Sequence, residues 1–348
     1  MRYVDIEQRR KKILCAIIET YINTGAPVAS RSVAQMFRWS MSPATVRNVM
    51  ADLEEMELIT HPHTSAGRIP TEKGYRFYVD SLLEPRRLTK EEEVMINKLL
   101  NRTFEDFDAL MQAYSKAISL ITSVAGVVLT PRLRKTIFKR IEFIQIAPTR
   151  LLVVLITGSG MVRNYLMDLE EEFTKEELSR ISNFLNSELK GMFLSDIKDY
   201  LTYKMLEYHD SFYAFLKRAL FILSMPNLLN MQEKMYYDGT ATLMSYPEFR
   251  DISKAKMFLK LLEEKRGILE LFYEDMEEEG VKVHIGLEDI CKDIQDCSVV
   301  TCNYKIKDRI AGSIGAIGPM RMEYGKIISA LKYISELLGR ALEGRDRI

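Results

Sequence analysis

The feature that most constrains the fold is an order of elements within the first 83 residues: three short amphipathic helices, a tight polar hairpin, then a fourth helix. Ile6, Ile13, Leu14, Ile17, Ile18 and Tyr21 recur at helical spacing, and the helix they mark ends near Gly25. Ser30 is placed to cap a short second helix with Val33, Ala34 and Phe37 turned inward. Ser42-Pro43 opens a third, since a serine can cap and proline suits the first helical position. Val46, Val49, Met50 and Leu53 form its buried stripe. Leu58–His61 is a short strand, Thr64–Arg68 a turn containing Gly67, and Ile69-Pro70 the return. Thr71 then caps a helix carrying Tyr75, Val79 and Leu82. Helix, turn, helix and hairpin in this order predict a winged helix-turn-helix.

Beyond a linker at Pro85-Arg86-Arg87, Thr89 and Glu92 form a capping box for a helical stretch over 90–124. The pattern then changes to period two or to short apolar runs at Val127–Thr130, Phe138–Ile146, Leu151–Thr157 and Met161–Met167, expected to be strands of one sheet. Residues 174–224 return to helix, as do 254–278. Strands resume at Val281–Ile285, Ser298–Tyr304 and Arg309–Ile317, and Tyr324–Leu342 closes the chain as a helix. A helical block interrupting two strand-rich halves indicates an α+β multidomain chain with one domain inserted into another. The expected boundaries are 1–85, then 90–168 with 241–345, with 169–240 as the insertion.

Charge locates the function within the first unit. The whole chain carries 49 basic and 49 acidic residues, a balance that excludes a non-specific nucleic-acid coat. From Thr20 to Ala51, however, Arg31, Arg38 and Arg47 occur with no acid, which returns at Asp52, Glu54, Glu55 and Glu57. The third helix, outside its buried stripe, presents Thr45, Arg47 and Asn48, then Ala51 and Asp52. Recognition helices touch base edges with their N-terminal residues; Arg matches guanine O6/N7 and Asn matches adenine N6/N7. Ser42 and the free N–H groups behind it suit a phosphate. Arg31 is a further phosphate ligand, and His63, Thr64, Ser65 and Arg68 in the turn supply donors for the backbone or the minor groove. Double-stranded DNA is therefore the expected partner.

Three segments of this region carry a family resemblance: Pro27-Val28-Ala29-Ser30, Ser42-Pro43-Ala44-Thr45-Val46-Arg47-Asn48, and Pro62 through Thr71 with the following Gly74-Tyr75-Arg76-Phe77-Tyr78-Val79-Asp80. They resemble the signature of the heat-inducible transcription repressors of the HrcA family. Gly315 through Tyr324, and Gly239-Thr240 with Pro247-Glu248-Phe249, resemble two further hallmarks. Ala29 stands where the family usually has glycine, and Glu57 where glycine usually ends the recognition helix. The resemblance implies a winged helix, a GAF-like domain and a mostly helical inserted dimerising domain. It implies a homodimer that represses chaperone operons through the inverted-repeat CIRCE operator, with a GroEL-type chaperonin keeping the repressor active. For the dimer contact, Phe212, Phe215, Leu216 and Leu220 form an apolar face that needs burial against the parent domain or a second copy.

Other constellations give less. Cys291, Cys297 and Cys302 with His284 match no standard zinc spacing, and two of the cysteines fall in strand-like segments. The glycine-rich Gly312–Gly318 stretch lacks the lysine of a phosphate loop. Four scattered histidines support no nucleophilic triad. No cofactor, metal or catalytic residue is expected. A small-ligand-gated regulator using the GAF-like domain is the alternative reading. The N-terminus lacks the apolar core of a signal peptide, and the longest apolar runs are too short to span a bilayer, so a cytoplasmic protein with reduced cysteines and no membrane contact is expected.

Overall fold

The first helix, α1 (Gln8–Thr24), buries Ile13, Leu14, Ile17 and Ile18 against α2 (Ser30–Met36) and α3 (Pro43–Glu55). The computed structural model describes residues 8–38, 41–62, 67–84, 86–101, 104, 106–130, 136–158, 160–169, 171–207, 211–224, 234–264, 266–286, 297–306 and 309–344. The cap of α2 differs from expectation. Ala29 is the extended N-cap and makes no side-chain bond, while Ser30 already has helical geometry. In α3 the four expected core residues are all buried. Strands β1 (Ile59–Thr60) and β2 (Ile69–Pro70) pair antiparallel, and Val28 adds a bridge to Arg68, so the wing is pinned to the segment between α1 and α2. Gly67 is required there, because an added Cβ would lie 2.6 Å from the Val28 backbone. Helix α4 (Glu72–Phe77) follows, capped by the Thr71 hydroxyl, which accepts from Gly74 N at 3.0 Å.

The expected helix over 90–124 is two helices, α5 (Lys90–Leu100) and α6 (Phe107–Thr122), the second opened by Asp106, whose carboxylate accepts from Ala109 N. Strand β3 (Ala125–Leu129) follows. The next three strands, β4 (Phe138–Ala147), β5 (Arg150–Thr157) and β6 (Val162–Asp168), do not join it. They form a separate antiparallel sheet, β4-β5-β6, whose inner face packs on α7 (Lys175–Glu188), α8 (Ile197–Leu206) and α9 (Ser211–Ser224). Strand alternation fixes which face is buried but not which strand is the neighbour. The expected single sheet is therefore two. The expected boundary at 168/169 cuts through one hydrophobic core, which runs from Phe138 to Leu223.

The chain returns through β7 (Met235–Asp238), which pairs with β3 inside the larger sheet. After α10 (Thr240–Leu243), α11 (Ile252–Glu264) and α12 (Arg266–Asp275), β8 (Val281–Ile285), β9 (Cys297–Ile306) and β10 (Arg309–Pro319) complete an antiparallel sheet ordered β7-β3-β10-β9-β8. Helix α6 and the last helix, α13 (Tyr324–Gly344), cover one face. Gly315 lets the Phe272 ring lie against the sheet, since a Cβ there would sit 2.5 Å from it.

The expected dimer residues are mostly committed within the chain. Leu216 is fully buried in the smaller core. Phe212 and Phe215 pack edge-on against Phe184, with ring centroids 5.7 and 5.4 Å away, and Leu220 is partly buried on the same core. An amphipathic helix needs one covered face, and the β4-β5-β6 sheet with its own helices supplies the cover.

Candidate nucleic-acid interface

The N-terminal turn of α3 is built by its cap. Ser42 is extended (φ −69°, ψ 152°), its Oγ accepts from Thr45 N at 3.1 Å, and it lies 2.9 Å from Thr45 Oγ1. Pro43 at the first helical position has no N–H to satisfy. The Ser42 hydroxyl thus serves the helix, and an anion at this end would meet the remaining free backbone N–H groups. Arg47 and Asn48 are exposed on the next turn, and Arg31 is exposed at the start of α2. No side-chain hydrogen bond or ion pair from the described residues engages any of the three. Thr45 is half-buried beside its cap. His63, Thr64 and Ser65 lie outside the described residues.

The other end of α3 is tied down. Arg10 of α1 donates from Nε and a terminal nitrogen to Asp52 Oδ2 at 3.1 and 2.7 Å. Arg68 of the wing donates to Glu54 Oε2 at 2.9 Å, and His61 contacts Glu54 Oε1. Arg68, expected to supply a donor for the DNA backbone or the minor groove, is engaged by Glu54 in this structure. Its guanidinium is a brace between wing and recognition helix. Burial pushes the Glu54 carboxyl up, but the His61 hydrogen bond and the Arg68 charge outweigh it and hold the group below the usual carboxylate range. Asp52 and Glu54 are thus matched by cations from neighbouring elements, while Glu55 is exposed. The sequence signal for this was the return of acid at Asp52 and Glu54 on a helix that otherwise reads as basic. Among the described residues, the N-terminal turn of α3 keeps Arg47 and Asn48 exposed without side-chain partners.

The helix ends in a Schellman arrangement. Glu57 is left-handed (φ 62°), its N–H donates to Glu54 O at 2.9 Å, and Leu58 N donates to Leu53 O at 3.0 Å. Leu53 and Leu58 are both buried, the apolar contact that accompanies this motif. The wing begins directly from it: Thr71 Oγ1 donates to Glu57 O at 2.6 Å, and Lys73 Nζ donates to the Glu57 carboxylate at 2.9 Å. Glu57 takes the conformation that glycine would take and adds an ion pair that glycine would not.

A family model described as "Winged helix-turn-helix transcription repressor, HrcA DNA-binding" matches residues 5–81, and one described as "HrcA protein C terminal domain" matches residues 108–328. The heat-inducible transcription repressor HrcA of Geobacter sulfurreducens is 39% identical over 98% of this chain and 99% of its own. That of Pelotomaculum thermopropionicum is 36% identical over 97% of each chain. The chain belongs to the HrcA family of heat-inducible transcription repressors. A solved structure titled "Crystal structure of a hypothetical protein at 2.2 A resolution" is 22% identical, covers 98% of this chain and 100% of its own with a TM-score of 0.66, and shares the fold. As an HrcA-family repressor the chain is DNA-binding, and residues 8–84 hold the reader. Among the described residues no helix is long and apolar enough to cross a membrane.

The remaining sequence candidates have structural partners. His284 Nε2 lies 2.9 and 3.0 Å from the two oxygens of Asp275, which also accepts from Thr301 Oγ1 at 2.5 Å. Cys297 and Cys302 are buried; Cys291 lies outside the described residues. Tyr304 donates to Leu129 O at 2.8 Å, its ring lying where a Cβ on Gly312 would be.

Proposed function

We propose that two copies of this repressor bind an inverted-repeat operator of the CIRCE type upstream of chaperone operons. Each places the N-terminal turn of α3 in the major groove. Arg47 and Asn48 read base edges; Arg31, Thr45 and the free N–H groups behind Ser42 hold the phosphate backbone. His63, Thr64 and Ser65, between β1 and β2 in the sequence, supply donors for the backbone or the minor groove. The observation that carries this reading is the exposure of Arg47 and Asn48, unpartnered among the described residues, on a capped helix turn whose following acids Asp52 and Glu54 are paired internally. Arg47→Ala should cost about 1–3 kcal/mol on the operator and relax specificity at one base pair. Binding isotherms on operator and random duplex test it. Equal losses on both would reduce Arg47 to a phosphate contact.

The two-fold operator asks for a two-fold protein. With Leu216 buried, the surface that supports a second copy is the outer face of β4-β5-β6. Ile144, Leu152 and Leu166 stand in register across the three strands, and Ile156 pairs with Val162 beside them. Ile144, Ile146, Val162 and Leu166 are 51, 57, 52 and 54% exposed. An apolar row of this kind on a sheet face has no favourable place in water. The larger domain is the GAF-like core onto which reader and dimerising unit are built. Family membership also supports a GroEL-type chaperonin as a partner that raises the active fraction. Operator-binding titrations after mild heating, with and without chaperonin, test this; an active fraction indifferent to chaperonin would remove it from the scheme.

A further inference from the structure

Two segments far apart in sequence meet where the reader sits on the body. Arg321, just before α13, forms a bidentate ion pair with Glu248, its terminal nitrogen 3.1 Å from Oε2 and its Nε on Oε1. The Arg321 side chain is only 11% exposed, and its guanidinium lies 5.0 Å from the Tyr246 ring centroid. Its remaining nitrogen points at the reader, 3.4 Å from Ile22 O in the last turn of α1. That turn has no basic residue of its own, so Arg321 supplies the cation a helix C-terminus favours. Gly25, left-handed at φ 65°, lets the guanidinium approach: a Cβ there would lie 3.2 Å from Arg321 Cζ. Further contacts join reader and body: Arg76 donates to Val283 O at 2.7 Å, and Tyr75 packs on Tyr324 with ring centroids 6.1 Å apart.

We infer that the Arg321–Glu248 pair is a latch that sets the orientation of the reader on the body, and that operator affinity depends on it although neither residue touches DNA. The connection is continuous: Glu248 holds Arg321, Arg321 holds the end of α1, and α1 holds the recognition helix through Arg10 and Asp52. The latch does not cover the reading surface, because Ala44, Arg47, Asn48 and Ala51 are exposed with the reader docked. It therefore positions the reader without blocking it. This rests on the two-fold reading above, under which two linked readers must be held at the spacing of two half-sites. Freeing each reader lowers the effective concentration of the second at its half-site and leaves the first contact intact.

Arg321→Gln and Glu248→Gln test the latch, the second leaving Arg321 charged and facing α1. The probes are a duplex selected by the wild-type chain from a random pool and the same duplex cut to one half-site. Each variant should bind the half-site as the wild type does and lose roughly tenfold or more on the full site, the scale set by effective concentration. Nitroxides introduced through an unnatural amino acid at the exposed positions Ala51 and Lys332 give a readout without DNA. Their distance distribution should be narrow in the wild type and broad in both variants. An unchanged distribution overturns the latch, as does full-site binding that equals or exceeds the wild type. Equal losses on half and full site also overturn it, since Arg321 would then support only the fold of the reader. If the wild type itself gains nothing from the second half-site while the distribution broadens, the two-fold reading fails and the latch stands.

Discussion

The reader and the inserted unit are both small, layered structures, and each leaves a different kind of surface unfinished. In the reader Asp52 is paired with Arg10 and Glu54 with Arg68 and His61, while Arg31, Arg47 and Asn48 face solvent with no side-chain partner among the described residues. In the inserted unit Arg218 is paired with Glu177 and Glu171 and Lys204 with Glu188, while Ile144, Ile146, Val162 and Leu166 face solvent. Free cations at a helix N-terminus fit a polyanion; a free apolar sheet face fits another protein. Under the two-fold reading proposed above, recognition and assembly fall in separate parts of one chain.

Five measurements break or sharpen that contrast. The largest effect is expected at Leu53, fully buried and one half of the apolar contact that closes α3. Leu53→Ala should cost about 2–5 kcal/mol and abolish DNA binding by unfolding the reader. Calorimetry should show the reader transition moving and the rest holding; a single transition shifting as a whole would mean the two regions are not separate in stability. Next, Ile144→Glu with Leu166→Glu should give a folded monomer in sedimentation and a loss of more than about tenfold on the full operator, with half-site affinity preserved. A folded variant that stays dimeric places the contact elsewhere.

Smaller effects are expected at the brace. Arg68→Ala should weaken binding by loosening the wing while leaving the slope of log affinity against log salt unchanged; a slope reduced by about one would make Arg68 a phosphate ligand after all. The brace is also pH-dependent. Folding lowers the Glu54 pKa, so its contribution is present above the unfolded-chain value of about 4.3 and fades as pH falls through the lower folded value. In Glu54→Gln that part of the acid-side slope should vanish. The smallest change is Glu57→Gly, which relieves the left-handed backbone strain and gives up the Lys73 pair, for a thermal midpoint raised by a few degrees. A fall would show the ion pair to outweigh the strain.

How much of this could be seen in the sequence depended on the range of the interaction. The Ser42 cap, the buried stripe of α3 and the Thr89 capping box are local, and they were legible because the residues that make them lie within one or two turns. Glu57, at the position where the family usually has glycine, left open whether the helix would keep a left-handed end; it does, at φ 62°. The Ala29 cap was misjudged because Ser30, one residue later, is the better capping side chain and sequence alone does not set the phase. Strand partners were not legible at all, since β3 ignores the next three strands to pair with β7 and β10. Arg68 with Glu54, and Arg321 with Glu248, are charge pairs whose members are separated by 14 and 73 residues.

The pairing of β3 with β7 has an architectural consequence. Thr130 N donates to Lys234 O at 3.0 Å and Lys234 N to Thr130 Oγ1 at 3.1 Å, so the chain leaves the larger sheet and re-enters it at one point. Topologically these strands are an ordinary hairpin whose connection happens to be a folded domain. Since the entropy of closing a loop grows only with the logarithm of its length, roughly a hundred residues there disturb the sheet little more than a short turn would. The junction is a graft site: a tight turn joining Thr130 to Lys234 should leave a shorter chain that folds and recognises a single half-site, and another self-associating module set into the same place should restore a bivalent repressor with a different grip on its operator.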